Sequence, residues 1–352
     1  MPSIFFVCPD DNTPYGGIRV LYRCVDTLNA AGRSATIVHE KAGFRCTWFD
    51  NRTPVIPASE VRFVTGDLIV LPEWYKEKIP FIAPGVPHLV FNQGPHVTLL
   101  GSGLERESWK PMVSSDTIGI VANSPYTFEY LSYCFPQIPV HQITLGIDPN
   151  VFHPPQDEKQ RQIAFMTRKR RGELVQLLRI LDLRRALDGW TLAPIEHMTE
   201  EETAAVLRNS AVFLSLNERE GFGLPSLEAM ASGCVVVGFH GGCGRVYMRP
   251  DVAIPIDDGE VITFARQVES VLHRFGDEDL ERMREGAISL VRSEFTPARE
   301  AADVVAVFGH ALEQVAEVSP VSTSLNVKLL ASRRFAPLKD ALALARRTLT
   351  KA

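Results

Sequence analysis

The chain lacks the apolar segments and cysteine patterns that mark several large classes of protein. No apolar run reaches the roughly 18 to 20 residues that span a bilayer, so no membrane-spanning helix is expected. Its six cysteines form no C-x-x-C pair, and several lie within apolar runs. We therefore expect free buried thiols in a reducing cytoplasm, and neither disulfides nor a zinc site. The amino terminus has no basic region and continues into a predicted strand, so we expect no signal peptide there.

The chain is long enough for two domains. It has 352 residues, 45% hydrophobic and 22% charged, and therefore exceeds the size at which one core usually suffices. Short β-branched runs alternate with segments of helical periodicity, which is typical of a parallel sheet with helices on both faces. A polar, proline-rich stretch at 149–162 interrupts this alternation. We predict an α/β protein with doubly wound, Rossmann-like domains at 1–155 and 156–315, and a tail at 316–352.

The carboxy-terminal tail is basic, whereas the rest of the chain is acidic. Residues 324–352 hold seven basic side chains against one acid, a net charge of +6, which leaves −11 for the remainder. Leu338, Leu342, Ala345 and Leu349 recur at helical spacing, so we predict a basic amphipathic helix. Such a helix either binds an anionic membrane surface or docks on the acidic body of its own protein. The first alternative predicts a peripheral protein at the inner face of the membrane.

A pair of glutamates lies between two predicted buried strands. Glu220 and Glu228 have seven residues between them. The flanking apolar runs at 211–216 and 234–239 are short, β-branched and bounded by breakers, as buried parallel strands are. Glycines and Pro225 between the acids predict a loop and then a helix, since proline suits a first helical turn. This puts Glu220 on a loop at the carboxyl edge of the sheet, where open α/β folds bind ligands.

The loop between the glutamates offers backbone N–H groups at the positive end of a helix, which can hold a phosphate or a sugar hydroxyl. The run EREGFGLPSLEAMASGCVVVG at 218–238 resembles the E-x7-E signature of retaining glycosyltransferases of the two-domain GT-B type, in the group numbered family 4. The resemblance implies that Glu228 binds the ribose of a nucleotide-sugar and that Glu220 contacts the sugar. The donor-binding residues that it implies here are Glu220, Gly221, Phe222, Gly223, Leu224 and Glu228.

Four basic residues follow the first predicted strand of the second half, at 168–171. Members of the resembled family carry an arginine and a lysine in this loop, aimed at the diphosphate of the donor. Arg168 matches the arginine, and either Lys169 or Arg171 takes the place of the lysine. Fixed cations stabilise the charge that builds on a departing diphosphate, so we expect no metal and no permanently bound cofactor. A solvated basic turn is the alternative.

The first half contributes a glycine pair and a histidine to the expected site. Gly16 and Gly17 join the first strand to the first helix, where paired glycines let the backbone approach a diphosphate. An ordinary tight turn is the alternative, and the pattern is not the G-x-G-x-x-G of nicotinamide enzymes. By resemblance, His96 lies in a loop facing the donor sugar and acts in catalysis with Glu220 and Arg168. A core or surface histidine is the alternative.

The resemblance implies a retaining, metal-independent glycosyltransferase that uses front-face transfer, in which the leaving phosphate takes the proton of the acceptor. The donor is expected to be a UDP-sugar from the frequency of this base in the family, with GDP- or dTDP-sugars as alternatives. The acceptor is a glycan, a lipid-linked sugar or a small molecule in surface polysaccharide or glycoconjugate synthesis, and no nucleic-acid partner is expected. A sugar-nucleotide epimerase of the same fold and a catalytically inactive scaffold are the alternative functions.

Overall fold

A computed structural model describes residues 2–99 and 112–330 of the chain. This part of the chain forms one seven-stranded and one five-stranded sheet, and every pair of neighbouring strands is parallel. Helices cover the sheets, so the predicted α/β architecture with two doubly wound sheets is confirmed. The predicted amphipathic helix of the tail lies outside the described residues, because only 316–330 of the tail are among them.

The first sheet contains residues from the amino-terminal half in the order β3-β2-β1-β4-β5-β6-β7. Its central strands are almost entirely buried, as strands covered on both faces are. The strands are β1 (Ser3–Val7), β2 (Ser34–His39), β3 (Val55–Pro57), β4 (Leu68–Pro72), β5 (His88–Asn92), β6 (Thr117–Ala122) and β7 (Val140–Gln142). The helices of this half are α1 (Gly16–Ala30), α2 (Ile79–Ile82), α3 (Pro95–Thr98) and α4 (Pro125–Cys134).

The local sequence explains how helix α1 packs on the first sheet and where helix α4 begins. In α1 the buried residues Ile18, Leu21, Val25 and Leu28 recur at helical spacing, so one face of the helix packs on the sheet. At the start of α4, the Ser124 hydroxyl accepts a hydrogen bond from a backbone N–H of the first turn, and a proline follows it. The start of α4 is therefore fixed by its cap, close to the carboxyl edge of the first sheet.

The second sheet has the order β12-β11-β10-β8-β9. Its strands are β8 (Gln160–Met166), β9 (Thr191–Ile195), β10 (Ser210–Glu220), β11 (Val235–Gly242) and β12 (Ile254–Ile256). Its helices are α5 (Arg171–Leu183), α6 (Glu200–Asn209), α7 (Leu224–Ala231), α8 (Val261–His273) and α9 (Glu278–Glu294). The strand order reverses between β8 and β10 here and between β1 and β4 in the first sheet. Ligands of open parallel sheets bind at such points.

The last long helix, α10 (Pro297–Val315), returns to the first sheet. Its Phe308 ring lies 5.1 Å from the ring of Phe6 on β1. Its buried Glu300 accepts a hydrogen bond of 2.6 Å from the N–H of Gly146 and pairs with Arg23 on α1. The short helix α11 (Val327–Leu330) follows. We call the seven-stranded sheet with its helices the first domain, and the five-stranded sheet with its helices the second domain. The sequence division placed residues up to 315 in the second domain, whereas the apolar face of α10 packs against the first.

Among residues 2–99 and 112–330, no helix has both the length and the apolar character needed to cross a bilayer.

Candidate active site

The loop between β10 and α7 is held in one conformation by its own glycines and by a buried tyrosine. Glu220 ends β10, and Glu228 is the fifth residue of α7. Gly223, just before α7, has a φ of +84°, a backbone conformation that favours glycine. The buried hydroxyl of Tyr247 lies 3.0 Å from the carbonyl oxygens of Phe222 and Gly223 and donates to them. The geometry of the loop is therefore fixed from within the second domain.

The same loop also contacts the first domain directly. The Ser124 hydroxyl donates a 2.5 Å hydrogen bond to the carbonyl oxygen of Gly221, and the Thr127 hydroxyl donates one of 3.2 Å. A Cβ atom on Gly221 would lie 2.7 Å from the carbonyl carbon of Gln93 and closer still to its oxygen. The loop that carries Glu220 therefore lies against the backbone that follows β5.

A cavity of about 480 Å³ lies between the domains at this point. It is lined from the first domain by the loop after β1 and from the second by the loops after β8, β9 and β10. Of the residues predicted from the sequence, the cavity is lined by Gly16, Gly17, Arg168, Lys169, Glu220, Phe222, Gly223, Leu224 and Glu228. His96, Arg171 and Gly221 are not among its lining residues.

The four basic residues after β8 have different environments. Lys169 forms an ion pair with Glu220, and both side chains are about a quarter exposed at 32% and 22%. The exposed Arg168 places its guanidinium 4.6 Å from the centre of the Tyr15 ring, across the cavity. Arg170 instead lies over the Phe239 ring and donates a 2.9 Å hydrogen bond to the Asn217 carbonyl. Arg168 and Lys169 thus face the cavity, whereas Arg170 braces β10.

Arg171 and His96 lie outside this arrangement. Arg171 is the exposed first residue of α5. The His96 Nε2 lies 2.8 Å from the Tyr126 hydroxyl, and its ring contacts the ring of Tyr130. Burial lowers the pKa of His96, and the positive charge of Arg219 lowers it further. Near neutral pH this imidazole on α3 is therefore predominantly neutral.

Comparison with known proteins agrees with this geometry. Residues 194–289 match the family profile Glycosyl transferases group 1. The alpha-1,6-glucosyltransferase of Actinobacillus pleuropneumoniae serotype 7 (strain AP76) is 29% identical over 278 residues, which cover 74% of this chain and 80% of that protein. Sucrose-phosphate synthase from Thermosynechococcus elongatus has a TM-score of 0.65 and 14% identity, covering 89% of this chain and 100% of its own. Anabaena HepE in complex with UDP-glucose has a TM-score of 0.61 and 12% identity, covering 88% and 100%.

The chain has the GT-B fold, and its residues 194–289 match a family of glycosyltransferases. Charged residues that the sequence did not single out also line the cavity, among them Arg19 and Glu200. Arg19 of α1 is only 6% exposed and lies between Glu228 and Glu200 of the second domain. The one signal available in the sequence was a charged residue within the apolar run of α1, shortly after the glycine pair. Its partners are more than 180 positions away, so spacing alone could not identify them.

Proposed function

We propose that this chain moves a sugar from a nucleotide-sugar to a glycan or glycolipid acceptor, with retention of the anomeric configuration and without a metal ion. One observation carries the proposal. The two motif glutamates, residues 222–224 of the loop between them, and the predicted cations Arg168 and Lys169 all line a single cavity, whose other side is lined by the glycine loop of the first domain. Such a cavity offers carboxylates for hydroxyl groups and cations for a diphosphate in one place.

The polar groups of the cavity fit the parts of a nucleotide-sugar. A carboxylate accepts hydrogen bonds from both hydroxyls of a diol, so Glu228 on α7 suits a ribose. Arg168 and Lys169 follow β8, next to the amino-terminal end of α7, and suit the diphosphate. Glu220, which Lys169 already contacts, suits a hydroxyl of the donor sugar. The donor is then held largely by the second domain.

The proposed mechanism needs cations fixed in position before the reaction. Negative charge grows on the diphosphate as the glycosidic bond to the sugar breaks, and Arg168 and Lys169 stabilise it without reorganisation. The acceptor hydroxyl attacks from the same face, and the leaving phosphate takes its proton. Among residues 2–99 and 112–330 no group of three His, Cys, Asp or Glu side chains is arranged to hold a metal. The first domain covers the cavity and limits access of water to the donor.

The comparisons suggest the donor and acceptor to test first. Structures of S. aureus TarM and Anabaena HepE contain UDP, and one of HepE contains UDP-glucose. The curated relative carries the name alpha-1,6-glucosyltransferase. We therefore propose UDP-glucose as the donor, with GDP- and dTDP-sugars as alternatives, and a glucosylated surface glycan or glycolipid as the product.

The experiment is a donor panel with and without acceptor, using wild type and Glu220→Gln. Transfer with retention, detected by NMR of the product anomer, is expected for wild type, and chelator is expected to leave the rate unchanged. Glu220→Gln is expected to keep its fold and nucleotide binding but lose transfer. Glu218→Gln, two residues earlier on β10 and outside the cavity, is the matched control. Donor turnover without an acceptor would support an epimerase instead, and equal activity of the two variants would refute the proposed role of Glu220.

A further inference from the structure

We propose that Arg19 keeps Glu228 available for the nucleotide by compensating the charge of Glu228 and Glu200, so that a residue of the first domain sets the affinity of the second domain for its donor. This inference rests on the proposed function, because it takes the ribose of a nucleotide-sugar as the group that Glu228 binds. Arg19 is then a positioning residue, since it acts on the donor through Glu228.

The contacts of Arg19 cross the cleft between the domains. Its Nη2 donates a 2.5 Å hydrogen bond to Oε1 of Glu228 on α7, and its Nη1 pairs with Glu200 at the start of α6. The guanidinium lies 5.9 Å from the Trp48 ring and 6.0 Å from the Phe152 ring. Arg19, Glu200 and Glu228 all line the cavity, so the ion cluster forms part of the wall that a donor would meet.

The cluster contains two carboxylates and one guanidinium. The side chain of Glu228 is 6% exposed and that of Glu200 is 21% exposed. With Arg19 present the net charge is −1, and without it the two carboxylates would face each other at a net charge of −2. Like charges repel strongly where water is scarce, and a donor diphosphate would add further negative charge nearby. Loss of Arg19 therefore leaves two like charges facing each other beside the donor, and is expected to weaken donor binding.

Arg19 does not exhaust the hydrogen-bonding capacity of Glu228. An ionised carboxylate has about four lone-pair sites, and Arg19 uses one of them through a single nitrogen. Within residues 2–99 and 112–330, Oε2 of Glu228 has no hydrogen-bond partner. The buried Nε of Arg19 has none there either, so the guanidinium is held by the two carboxylates. Arg19 thus fixes the carboxylate and leaves an oxygen free for a ribose hydroxyl.

The test measures UDP binding by titration calorimetry in the full-length protein and donor and acceptor KM values. Arg19→Met is expected to weaken UDP binding about tenfold to a hundredfold, the usual loss for hydrogen bonds to a charged group. The donor KM is expected to rise by a similar factor, while the acceptor KM stays constant. Arg19→Lys keeps the charge and is expected to bind UDP within a few-fold of wild type.

The decisive variant is the double substitution Arg19→Met with Glu200→Gln, which returns the cluster to a net charge of −1. It is expected to recover most of the lost affinity, whereas loss of packing alone would not be rescued by a change at Glu200. The inference is wrong if Arg19→Met binds UDP as tightly as wild type or more tightly, or if the double variant binds no better than the single one.

The affinity of Arg19→Met is informative only if this variant folds. If Arg19→Met does not fold, as monitored by thermal unfolding, the double variant and Arg19→Lys decide the matter, and near-native affinity in both is the supporting result. A loss of affinity of tenfold or more in either folded variant overturns the inference. Wild type reports on the proposed function separately. If it binds none of the nucleotides tested, the proposed function itself fails, whereas equal binding by wild type and the Arg19 variants removes only the role of Arg19.

Discussion

The contact between Gly221 and the first domain predicts that one methyl group will separate the domains and disable the site. Gly221 follows Glu220 directly, and a Cβ atom on it would lie 2.7 Å from the carbonyl carbon of Gln93. Neither of these segments can turn aside as a side chain can, because the Gln93 contact is with backbone. Gly221→Ala must therefore move the loop or the domain that it touches.

The size of the movement follows from this distance. Carbon atoms in ordinary contact are about 3.5 Å apart, so the two backbones must separate by at least about 0.8 Å, and by more where the Cβ atom meets the Gln93 oxygen. Overpacking of this kind costs typically about 1–3 kcal/mol. The Ser124 and Thr127 hydrogen bonds to the Gly221 carbonyl would lengthen with the same movement. A displacement of about 1 Å in a positioned group can cost on the order of a hundredfold in rate.

The assay compares kcat/KM, nucleotide affinity and thermal unfolding for wild type and two glycine variants. Gly221→Ala is expected to lose about a hundredfold in kcat/KM, with a smaller loss in nucleotide affinity because Glu228 lies on α7 beyond the loop. Gly172→Ala is the matched control. Gly172 is exposed in the first turn of α5, and no atom lies within 4 Å of the position of its Cβ. The control is expected to keep full activity and to be equally or slightly more stable.

The reasoning would be refuted by a Gly221→Ala protein with the activity and stability of the Gly172→Ala control. That result would mean that the two domains do not close on each other at this point when the enzyme turns over. A loss of stability without any loss of kcat/KM would place the contact in the resting protein but outside the catalytic cycle.

Two buried groups near the cleft give further predictions. Burial raises the pKa of Glu73 from 4.5 to about 7, so the folded protein retains a proton that the unfolded chain has released between these values. The stability contributed by the protonated Glu73 is fully present below pH 4.5 and is lost as the pH rises to about 7. Glu73→Gln is therefore expected to raise the free energy of unfolding at pH 8 by up to about 3 kcal/mol, measured by urea unfolding. No gain at pH 8 would contradict this. Tyr247→Phe leaves the Phe222 and Gly223 carbonyls without their donor and is expected to lower the free energy of unfolding by about 1–2 kcal/mol. Tyr133 is 89% exposed, so Tyr133→Phe is expected to leave the free energy of unfolding unchanged.

The strands of both sheets could be predicted because their apolar runs are short and bounded by breakers. The ends of strands were less predictable. The apolar run before the glutamate motif stops at Leu216, yet β10 continues to Glu220 because Glu220 pairs with Gly242 of β11. The edge strand β3 contains only three residues, one of them a proline, and these carry too weak a pattern to detect. Local periodicity indicates which face of an element is buried, but it does not indicate with which distant strand the element pairs.

The packing of α10 could not be predicted for the same reason. Its periodicity predicts an apolar face but does not say which sheet that face covers. Phe308 packs on Phe6 and Glu300 accepts from Gly146, and both partners are more than 150 positions earlier in the chain. The sequence division at 315 therefore placed this helix by its position along the chain, whereas burial against β1 and α1 decides its place in space.

The glutamate motif could be predicted because its residues are consecutive, so a local pattern carries both the chemistry and the turn. The side chains that surround the motif in space could not be predicted from a local pattern. Lys169 and Arg171 were equal alternatives in the sequence, whereas in the structure Lys169 lines the cavity and Arg171, the exposed first residue of α5, does not. That His96 faces the donor sugar stays a prediction: its Nε2 lies 2.8 Å from the Tyr126 hydroxyl, and it is not among the residues that line the cavity.

The contacts between the domains involve the same elements that are proposed to hold the donor. Ser124 binds the carbonyl beside Glu220, and Arg19 binds Glu228 itself, so both motif carboxylates are positioned partly from the first domain. Any ligand that prefers these carboxylates in their present geometry must also favour the closed arrangement of the domains, and by linkage closure must raise the affinity for that ligand by the same factor. The pair of Arg19 with Glu228 forms only when the two domains are in contact, whereas Lys169 and Glu220 both belong to the second domain. In the proposed reaction, closure would complete the donor site and exclude water, the condition under which transfer to an acceptor can outcompete hydrolysis.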